Sequence, residues 1–336
     1  MSDANVRGRF LWHELMTTDT KAAAAFYKQV AGWGTENWPH DPSYTLFVAR
    51  KAPRAGLMIL PPEAKAMGAP PNWMTYIGAP NVDETSRLAQ QFGGRVLRQP
   101  ADIPNVGRFS VLADPQGAVF AAYKSNQDGG GDDTPGLGDF SWHELATTDW
   151  QSAFDFYSRL FGWEKTESMD MGPDMGVYQM FGSKGRTVGG MYNKPANVAA
   201  PPHWLPYIKV VDSKRAAQRT TQLGGRVVNG PMQVPGGDWI TMGIDPQGAV
   251  FAVHSVTPAA KQAAPAAKPK KAAAKRAKAA KRKPARKAKP AKRKAAKKST
   301  RRPKSARRKA AGKSRPRRPV RKSAAKKKGG ARKKRR

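Results

Sequence analysis

The chain of 336 residues divides into two parts of different charge, and this division limits what each part can be. The sequence carries 61 Lys and Arg against 24 Asp and Glu, for a formal net charge of +37, yet residues 259–336 hold 38 of these cations and no acid. Residues 1–258 are therefore nearly neutral, at −1, and are long enough for one large or two ordinary globular domains. Cys is absent, which excludes disulfides, thiolate nucleophiles and Cys-ligated metal sites. There is no hydrophobic signal core and no apolar run of about 18 residues, which predicts a soluble, cytoplasmic protein without a membrane span.

A strand followed by a helix is predicted at the start of the neutral part. Alternation over residues 10–16 places Trp12 and Glu14 on one face of the strand and His13 on the other. A Thr-Thr-Asp sequence that can cap a helix comes next, and helical spacing over residues 20–30 ends before Gly32. Pro61-Pro62 is expected to end this first unit.

A second unit of the same kind is predicted to follow. After a strand at 74–79, Asn81 is a candidate N-cap with Glu84 three residues on, a capping-box arrangement, and the helix is expected to end at Gly93-Gly94. The sequence Asp-Pro-Gln-Gly at 114–117 favours a type I turn. The remaining predicted strands are residues 44–48, 56–60, 95–97, 108–113 and 118–123.

This pattern occurs twice. Trp12-His13-Glu14-Leu15 returns 130 positions later as Trp142-His143-Glu144-Leu145, and the octapeptide DPQGAVFA at 114–121 returns unchanged at 245–252. The period is too long for a solenoid and indicates a duplicated domain. The predicted segments are a first domain at 8–125, a Gly- and Asp-rich linker at 126–137, a second domain at 138–256 and a basic tail at 258–336.

The order of elements resembles the vicinal oxygen chelate superfamily, which includes glyoxalase I, bleomycin-resistance proteins and extradiol dioxygenases. The opening strand, the Thr-Asp cap, the Phe-Tyr helix, Gly-Trp, Gly-Gly and the closing Asp-Pro-x-Gly hairpin carry the resemblance, which covers both repeats. It implies an α+β fold with two tandem domains, each of paired βαβββ units whose curved sheet encloses a cleft. In the family's enzymes, His, Gln or Glu side chains hold a divalent metal there.

The resemblance also implies where metal ligands would lie. The first, middle and last ligand positions hold Trp12 and Trp142, Met74 and Leu205, and Ala121 and Ala252 in the two copies. These side chains cannot make a hard oxygen–nitrogen site. We therefore predict no metal site and no cofactor, and an enzyme with a divergent divalent-metal site is the alternative.

Glu14 and Glu144 are the best remaining candidates for catalysis. Each shares a strand face with the tryptophan two residues before it, Trp12 or Trp142. A carboxylate beside an indole in a partly dry cleft could act as an acid or base, or could bind a small aromatic or cationic molecule together with that indole. The structural alternative is a glutamate that pairs with an arginine to join two sheets.

The histidines are weaker candidates. His13 and His143 lie on the opposite strand face from the glutamates and are expected to point toward the helices as hydrogen-bonded scaffold residues. His203 and His254 have no histidine counterpart in the first copy, so a catalytic role for either would belong to the second domain alone.

The tail resembles the C-terminal domain of linker histones and bacterial histone-like tails. It combines dense Lys and Arg with Ala and Pro and lacks aromatic residues, a composition that predicts a disordered chain binding DNA phosphates without base readout. RNA, an anionic membrane surface or a pure solubility role are the alternatives. The cations proposed to contact phosphates include Lys270, Lys271, Arg276, Lys281, Arg282, Lys283, Arg301, Arg302, Arg307, Arg308, Arg317, Arg318, Lys326, Lys327, Arg335 and Arg336.

Three functions fit these observations. The first is a metal-free, small-molecule-binding protein kept on the nucleoid by its tail, either as one chain or as a homodimer. The second is an enzyme of glyoxalase, lyase or dioxygenase type. The third is an architectural nucleoid protein. A cleft lined by Glu and Trp, rather than filled by side chains, would favour the first function over the third.

Overall fold

The computed structural model describes residues 6–127, 134–173 and 175–256. The predicted tail and all of its proposed phosphate-binding cations lie outside the described residues.

The first repeat forms an eight-stranded sheet in the order β2-β3-β4-β1-β5-β8-β7-β6. Its strands are β1 (Phe10–Thr17), β2 (Gly34–Trp38), β3 (Asp41–Ala49), β4 (Ala52–Ile59), β5 (Asn72–Gly78), β6 (Arg95–Ile103), β7 (Gly107–Ala113) and β8 (Val119–Ser125). Its helices are α1 (Thr20–Val30), α2 (Pro62–Ala66) and α3 (Val82–Gln91).

The second repeat forms an equivalent sheet in the order β10-β11-β12-β9-β13-β16-β15-β14. Its strands are β9 (Phe140–Thr147), β10 (Glu164–Asp170), β11 (Val177–Ser183), β12 (Arg186–Asn193), β13 (His203–Lys209), β14 (Arg226–Gln233), β15 (Trp239–Ile244) and β16 (Val250–Ser255). Its helices are α4 (Trp150–Phe161) and α5 (Ser213–Gln222). The predicted α+β class with two tandem domains of paired βαβββ units is confirmed.

The central strands join the two βαβββ units of each domain. In the first domain β1 pairs with β4 in parallel and with β5 in antiparallel orientation, and Glu14 lies opposite Met74. Because side chains alternate along β1, Trp12 and Met16 share one side of the sheet with Glu14, while Leu15 enters the core on the other side.

Polar caps begin the helices where the sequence predicts them. The Asp19 side chain accepts a hydrogen bond from the backbone N–H of Ala22 at 2.9 Å, and Asn81 accepts one from Glu84 at 3.0 Å. These bonds satisfy amides that a helix leaves free at its first turn. The Glu84 carboxylate pairs with Arg87 at 2.7 Å.

Some elements differ from the sequence-based expectation. The edge strands β2 and β10 were not predicted, since their exposed, polar sequences show no hydrophobic alternation. β6 runs six residues further than predicted, through Pro100, which an edge strand tolerates. The first unit ends with β4 at Ile59, just before Pro61-Pro62 as expected, but Pro62 also opens the short helix α2, which was not predicted, because proline fits the first turn of a helix.

The two domains share their hydrophobic cores. One core combines Phe26 and Tyr27 of the first domain with Ile208 and Phe251 of the second. The other core combines Ile77 and Phe120 of the first domain with Tyr157 and Phe181 of the second. Each core therefore depends on both repeats.

Hydrogen bonds between the repeated motifs also connect the two domains. The Tyr157 hydroxyl donates to Asp114 at 3.1 Å, and the Tyr27 hydroxyl donates to Asp245 at the same distance. The Trp33 indole donates to the backbone carbonyl of Gly138, and the Trp163 indole to that of Gly8, both at 2.8 Å. The Phe-Tyr, Gly-Trp and Asp-Pro-x-Gly motifs thus hold the domains together.

The paired histidines lie on this interface. The Nε2 atoms of His13 and His143 are 2.9 Å apart and buried, and the rings stack on Phe140 and Phe10 respectively. Both histidines are buried and hydrogen-bonded, as expected of scaffold residues. Their partner was not expected, because each contacts the equivalent histidine of the other repeat.

Candidate functional site

A buried carboxylate lies on the floor of the cleft in the first domain, which we call cleft 1. Glu14 on β1 accepts hydrogen bonds from the hydroxyls of Tyr44 on β3, at 2.7 Å, and Tyr76 on β5, at 3.0 Å. The Trp12 indole donates to the Tyr44 hydroxyl at 3.1 Å. Glu14 is 7% exposed, so these hydroxyls replace the water that a carboxylate normally binds.

The second domain repeats these hydrogen bonds on the equivalent face of its own sheet, which we call cleft 2. Glu144 accepts a hydrogen bond from the Tyr178 hydroxyl at 3.1 Å, and the Trp142 indole donates to the same hydroxyl at 2.8 Å. Tyr207 is a second hydrogen-bond partner of Glu144. The structure therefore joins Trp12 with Glu14, and Trp142 with Glu144, in two separate clefts.

The four tyrosines are functional candidates that the sequence analysis missed. They were detectable, because Tyr44 and Tyr178 recur at equivalent places in the two copies, as do Tyr76 and Tyr207. The structural alternative for the glutamates was an arginine partner that joins sheets. The hydrogen bonds to Glu14 come instead from tyrosine hydroxyls within one sheet.

Burial raises the pKa of both glutamates above the ordinary value for glutamate. Loss of water raises the pKa of Glu14, against the opposing effects of the Tyr44 and Tyr76 hydroxyls and the charge of Arg98. The same cause raises the pKa of Glu144 to about 7. A carboxyl group in this range can accept or release a proton near neutral pH.

Apolar and aromatic side chains form the walls of cleft 1. A cluster on this side of the sheet contains Met16, Leu60, Met74, Tyr76, Phe109 and Ala121, with Trp12, Met58 and Tyr123 packed against it. A cavity of about 2370 Å³ is lined by these side chains except Leu60 and Ala121, has Glu14 at its floor and continues to His203. Cleft 1 is therefore an open, mostly apolar space with one polar floor.

The donor set of the clefts does not fit the divalent metal that the fold family implies. Met74 lies opposite Glu14, and Ala121 lies opposite Tyr76, so the positions that the resemblance assigns to ligands surround a single carboxylate. Across the described parts of the chain, no group of three His, Cys, Asp or Glu side chains could hold a metal ion.

The remaining histidines occupy other places. His254 bridges Ser141, at 2.8 Å from Nδ1, and Asp238, at 2.9 Å from Nε2. His203 is partly buried, and its Nδ1 contacts the Pro201 carbonyl at 2.8 Å.

Comparison with known proteins agrees with this architecture. Residues 13–123 match the glyoxalase-like domain family, and residues 140–253 match the glyoxalase/bleomycin resistance protein/dioxygenase superfamily. "Putative glyoxylase CFP32" of Mycobacterium tuberculosis is 31% identical over 250 residues, which cover 74% of this chain and 94% of that protein. The anthracycline biosynthesis protein DnrV of Streptomyces peucetius is 30% identical over 255 residues, covering 72% and 91%. The chain belongs to the glyoxalase/bleomycin resistance protein/dioxygenase superfamily.

Solved structures share the fold at lower identity. The Mn(II)-bound glyoxalase from Novosphingobium aromaticivorans superposes with a TM-score of 0.52 at 17% identity, covering 74% of this chain and 82% of that one. The 2,2',3-trihydroxybiphenyl 1,2-dioxygenase from Sphingomonas wittichii strain RW1 gives 0.53 at 13%, covering 75% and 91%. Within the described residues, no helix is long and apolar enough to cross a membrane.

Proposed function

We propose that this protein binds small planar aromatic molecules in its two clefts without a metal. The observation that carries the proposal is the floor of cleft 1, where the buried Glu14, held by tyrosine hydroxyls, faces a mostly apolar cavity. The second domain repeats the hydrogen-bonded glutamate at Glu144. A ligand hydroxyl or amide could donate to that carboxylate while its rings pack on the aromatic and methionine walls. Two relatives are named as anthracycline biosynthesis proteins.

The ligand proposal is tested with a neutral aromatic probe, 6-hydroxy-2-naphthamide, titrated calorimetrically into the full-length protein. We expect Glu14→Gln combined with Glu144→Gln to weaken binding about tenfold or more, because a hydrogen bond to a charged group contributes about 1.5–3 kcal/mol. Glu36→Gln is the matched control, since Glu36 is exposed on β2. Equal affinity of the double variant and the wild type would exclude the glutamates from the site.

We propose further that the basic tail attaches the protein to DNA through phosphates, with RNA as the competing partner. The support is compositional: 38 cations and no acid in residues 259–336. If about ten cations engage at once, affinity should fall by several orders of magnitude between low and moderate salt, since each contact releases condensed counterions.

A gel-retardation series tests the tether. It compares the full chain, a chain that ends at residue 257 and a peptide of residues 259–336, on duplex DNA of two unrelated sequences and on RNA. We expect the peptide and the full chain to retard both duplexes equally and the shortened chain to retard neither. A peptide that leaves DNA unretarded at low salt would refute the tether.

A second candidate function is proton transfer to or from a bound ligand, and the specific observation that favours it is the pKa of about 7 for Glu144. An acid or base of this strength is suited to catalysis near neutrality. The readout is exchange of the probe's ring hydrogen ortho to its hydroxyl, followed by NMR: a base takes the hydroxyl proton, an acid delivers a deuteron to the ring carbon, and loss of the ring proton restores the phenol. This exchange should be faster with the wild type than with Glu144→Gln.

A further inference from the structure

The two clefts have the same floor but different walls. The glutamate, the tryptophan and both tyrosines are present in each domain. On the outer strands β6 and β14 and their neighbours β7 and β15, equivalent positions differ in charge and size. Arg98 on β6 pairs with Val111, and its counterpart on β14, which pairs with Met242, is Asn229.

Arg98 is directed at the inside of cleft 1. Its guanidinium lies over the Phe109 ring, 4.7 Å from the ring centroid, and its side chain is exposed to solvent. Its charge lowers the pKa of both Glu14 and Tyr76, so its field reaches the floor. A guanidinium supported by an aromatic ring at a cleft rim presents its donors to an incoming anion.

Cleft 2 lacks this arrangement. The position of Phe109 is taken by Ile240, which offers no aromatic face to a guanidinium. Burial raises the pKa of Glu144 to about 7, against the opposing hydrogen bonds from Tyr178 and Tyr207. At the two positions compared, cleft 2 therefore has Asn229 and Ile240 in place of a guanidinium on an aromatic ring.

The far end of each cleft differs as well. Tyr123 on β8 packs against Tyr76 with ring centroids 5.9 Å apart. The same place on β16 is held by His254, which is fixed by Ser141 and Asp238. The wall groups of one cleft are thus not copies of those in the other.

We propose that the clefts bind different classes of aromatic ligand: cleft 1 takes a molecule that carries a carboxylate or phenolate, bound by Arg98, and cleft 2 takes a neutral one. Arg98 is the specificity-determining residue. The inference rests on the proposed function, since it assigns the ligand class of the same sites. A carboxylate can accept two parallel hydrogen bonds from a guanidinium, whereas Asn229 supplies no charge.

The test uses a matched pair of probes, 6-hydroxy-2-naphthoate and 6-hydroxy-2-naphthamide, which differ in the charge of one group. Both are titrated into the full-length protein and into Arg98→Gln at constant ionic strength. Because the 38 cations of residues 259–336 also attract anions, Arg226→Gln is the control: it removes one exposed arginine at the equivalent of Arg95, away from cleft 1.

We expect Arg98→Gln to weaken naphthoate binding about three- to tenfold, a range set by the solvent exposure of the ion pair, and to change naphthamide binding less than about twofold. Arg226→Gln should change neither, and Asn229→Arg should add a second naphthoate site. Equal naphthoate affinity in wild type and Arg98→Gln would overturn the inference while the proposed function stands, provided that Glu14→Gln with Glu144→Gln still weakens naphthamide. Failure of the wild type to bind either probe would refute both.

Discussion

At the scale of single residues, the clefts show how surroundings decide the chemistry of a carboxyl group. The exposed Asp83 beside Arg108 has a pKa below the ordinary value, whereas the buried Glu144 among tyrosines has one near 7. Alternation along β1 was enough to predict that Trp12 and Glu14 share a face. Their tyrosine partners could not be predicted in this way, since the hydroxyls come from strands 30 and 62 residues further along the chain.

The raised pKa of Glu144 makes stability depend on pH. At a pH below the ordinary value of 4.5, the folded and unfolded states are both protonated and this residue adds no pH dependence. As pH rises toward 7, the unfolded state releases the proton while the folded state keeps it, so the free energy of unfolding falls. Above 7 the loss levels off at about 3 kcal/mol.

We therefore expect Glu144→Gln to flatten the pH profile: relative to the wild type it should gain stability between pH 4.5 and 8. Urea unfolding at pH 4.5, 6 and 8 measures this difference, and the exposed Glu36→Gln serves as the reference. Parallel profiles for wild type and Glu144→Gln would mean that the buried carboxyl titrates normally.

At the scale of elements, the pattern of burial determined what sequence reasoning could find. The longer helices and the central strands were predicted because their buried faces follow a clear period, whereas α2 has no buried residue. The edge strands β2 and β10 were missed because an exposed polar strand is defined by its pairing with β3 or β11 and not by its own side chains. The Asp-Pro-Gln-Gly sequence was correctly predicted as a turn, which is closed by a hydrogen bond from the Gly117 N–H to the Asp114 carbonyl at 3.0 Å. The sequence did not predict that the Asp114 side chain also accepts a hydrogen bond from Tyr157 of the other domain.

The hydrogen bond between Tyr157 and Asp114 predicts that removing the Tyr157 hydroxyl destabilises the protein. Tyr157 donates to Asp114 and accepts from the Trp204 indole at 2.9 Å, all in a buried setting. Tyr157→Phe leaves two buried polar groups each short of a partner and should cost about 2–4 kcal/mol. Tyr27→Phe should behave alike in the other core, because Tyr27 joins Asp245 and Trp73 in the same way.

Urea unfolding measures these costs, and Tyr123→Phe is the comparison. The Tyr123 hydroxyl reaches the Val106 carbonyl at only 3.4 Å and is partly exposed, so its loss should cost less than about 1 kcal/mol. Equal loss of stability in all three variants would contradict the prediction that the buried inter-domain hydrogen bonds contribute more than the partly exposed one of Tyr123.

At the scale of the whole molecule, the repeat was evident from the sequence, but the sharing of each hydrophobic core by both repeats was not. A duplicated domain could fold as two independent bodies. The structure instead packs α1 against α5 and α3 against α4, and such contacts between distant segments leave no periodic pattern in the chain.

The shared cores predict that neither repeat is stable alone. We expect a chain of residues 1–130 to expose Phe26, Tyr27 and their neighbours and to self-associate or aggregate, because large apolar surfaces seek a partner. Mixed in equal amounts with residues 131–336, it should form a one-to-one complex. Sedimentation velocity distinguishes these states, with the uncut chain as standard. A monomeric, cooperatively folded 1–130 would contradict the prediction.

The histidine pair at the centre of this interface breaks the internal symmetry by a single hydrogen. The Nδ1 of His143 lies 3.2 Å from the Val188 carbonyl and must donate to it, so in the neutral ring the Nε2 of His143 is an acceptor. The Nε2–H of His13 therefore fills the 2.9 Å gap. Two identical halves could not both make this contact in the same tautomer. The first repeat is the donor and the second the acceptor. Burial and the charge of Arg186 lower the pKa of His143 to about 3, and burial and the charge of His143 lower that of His13, so both rings stay neutral near pH 7. The two repeats therefore differ in where the histidine protons lie, although the sequence Trp-His-Glu-Leu is the same in both.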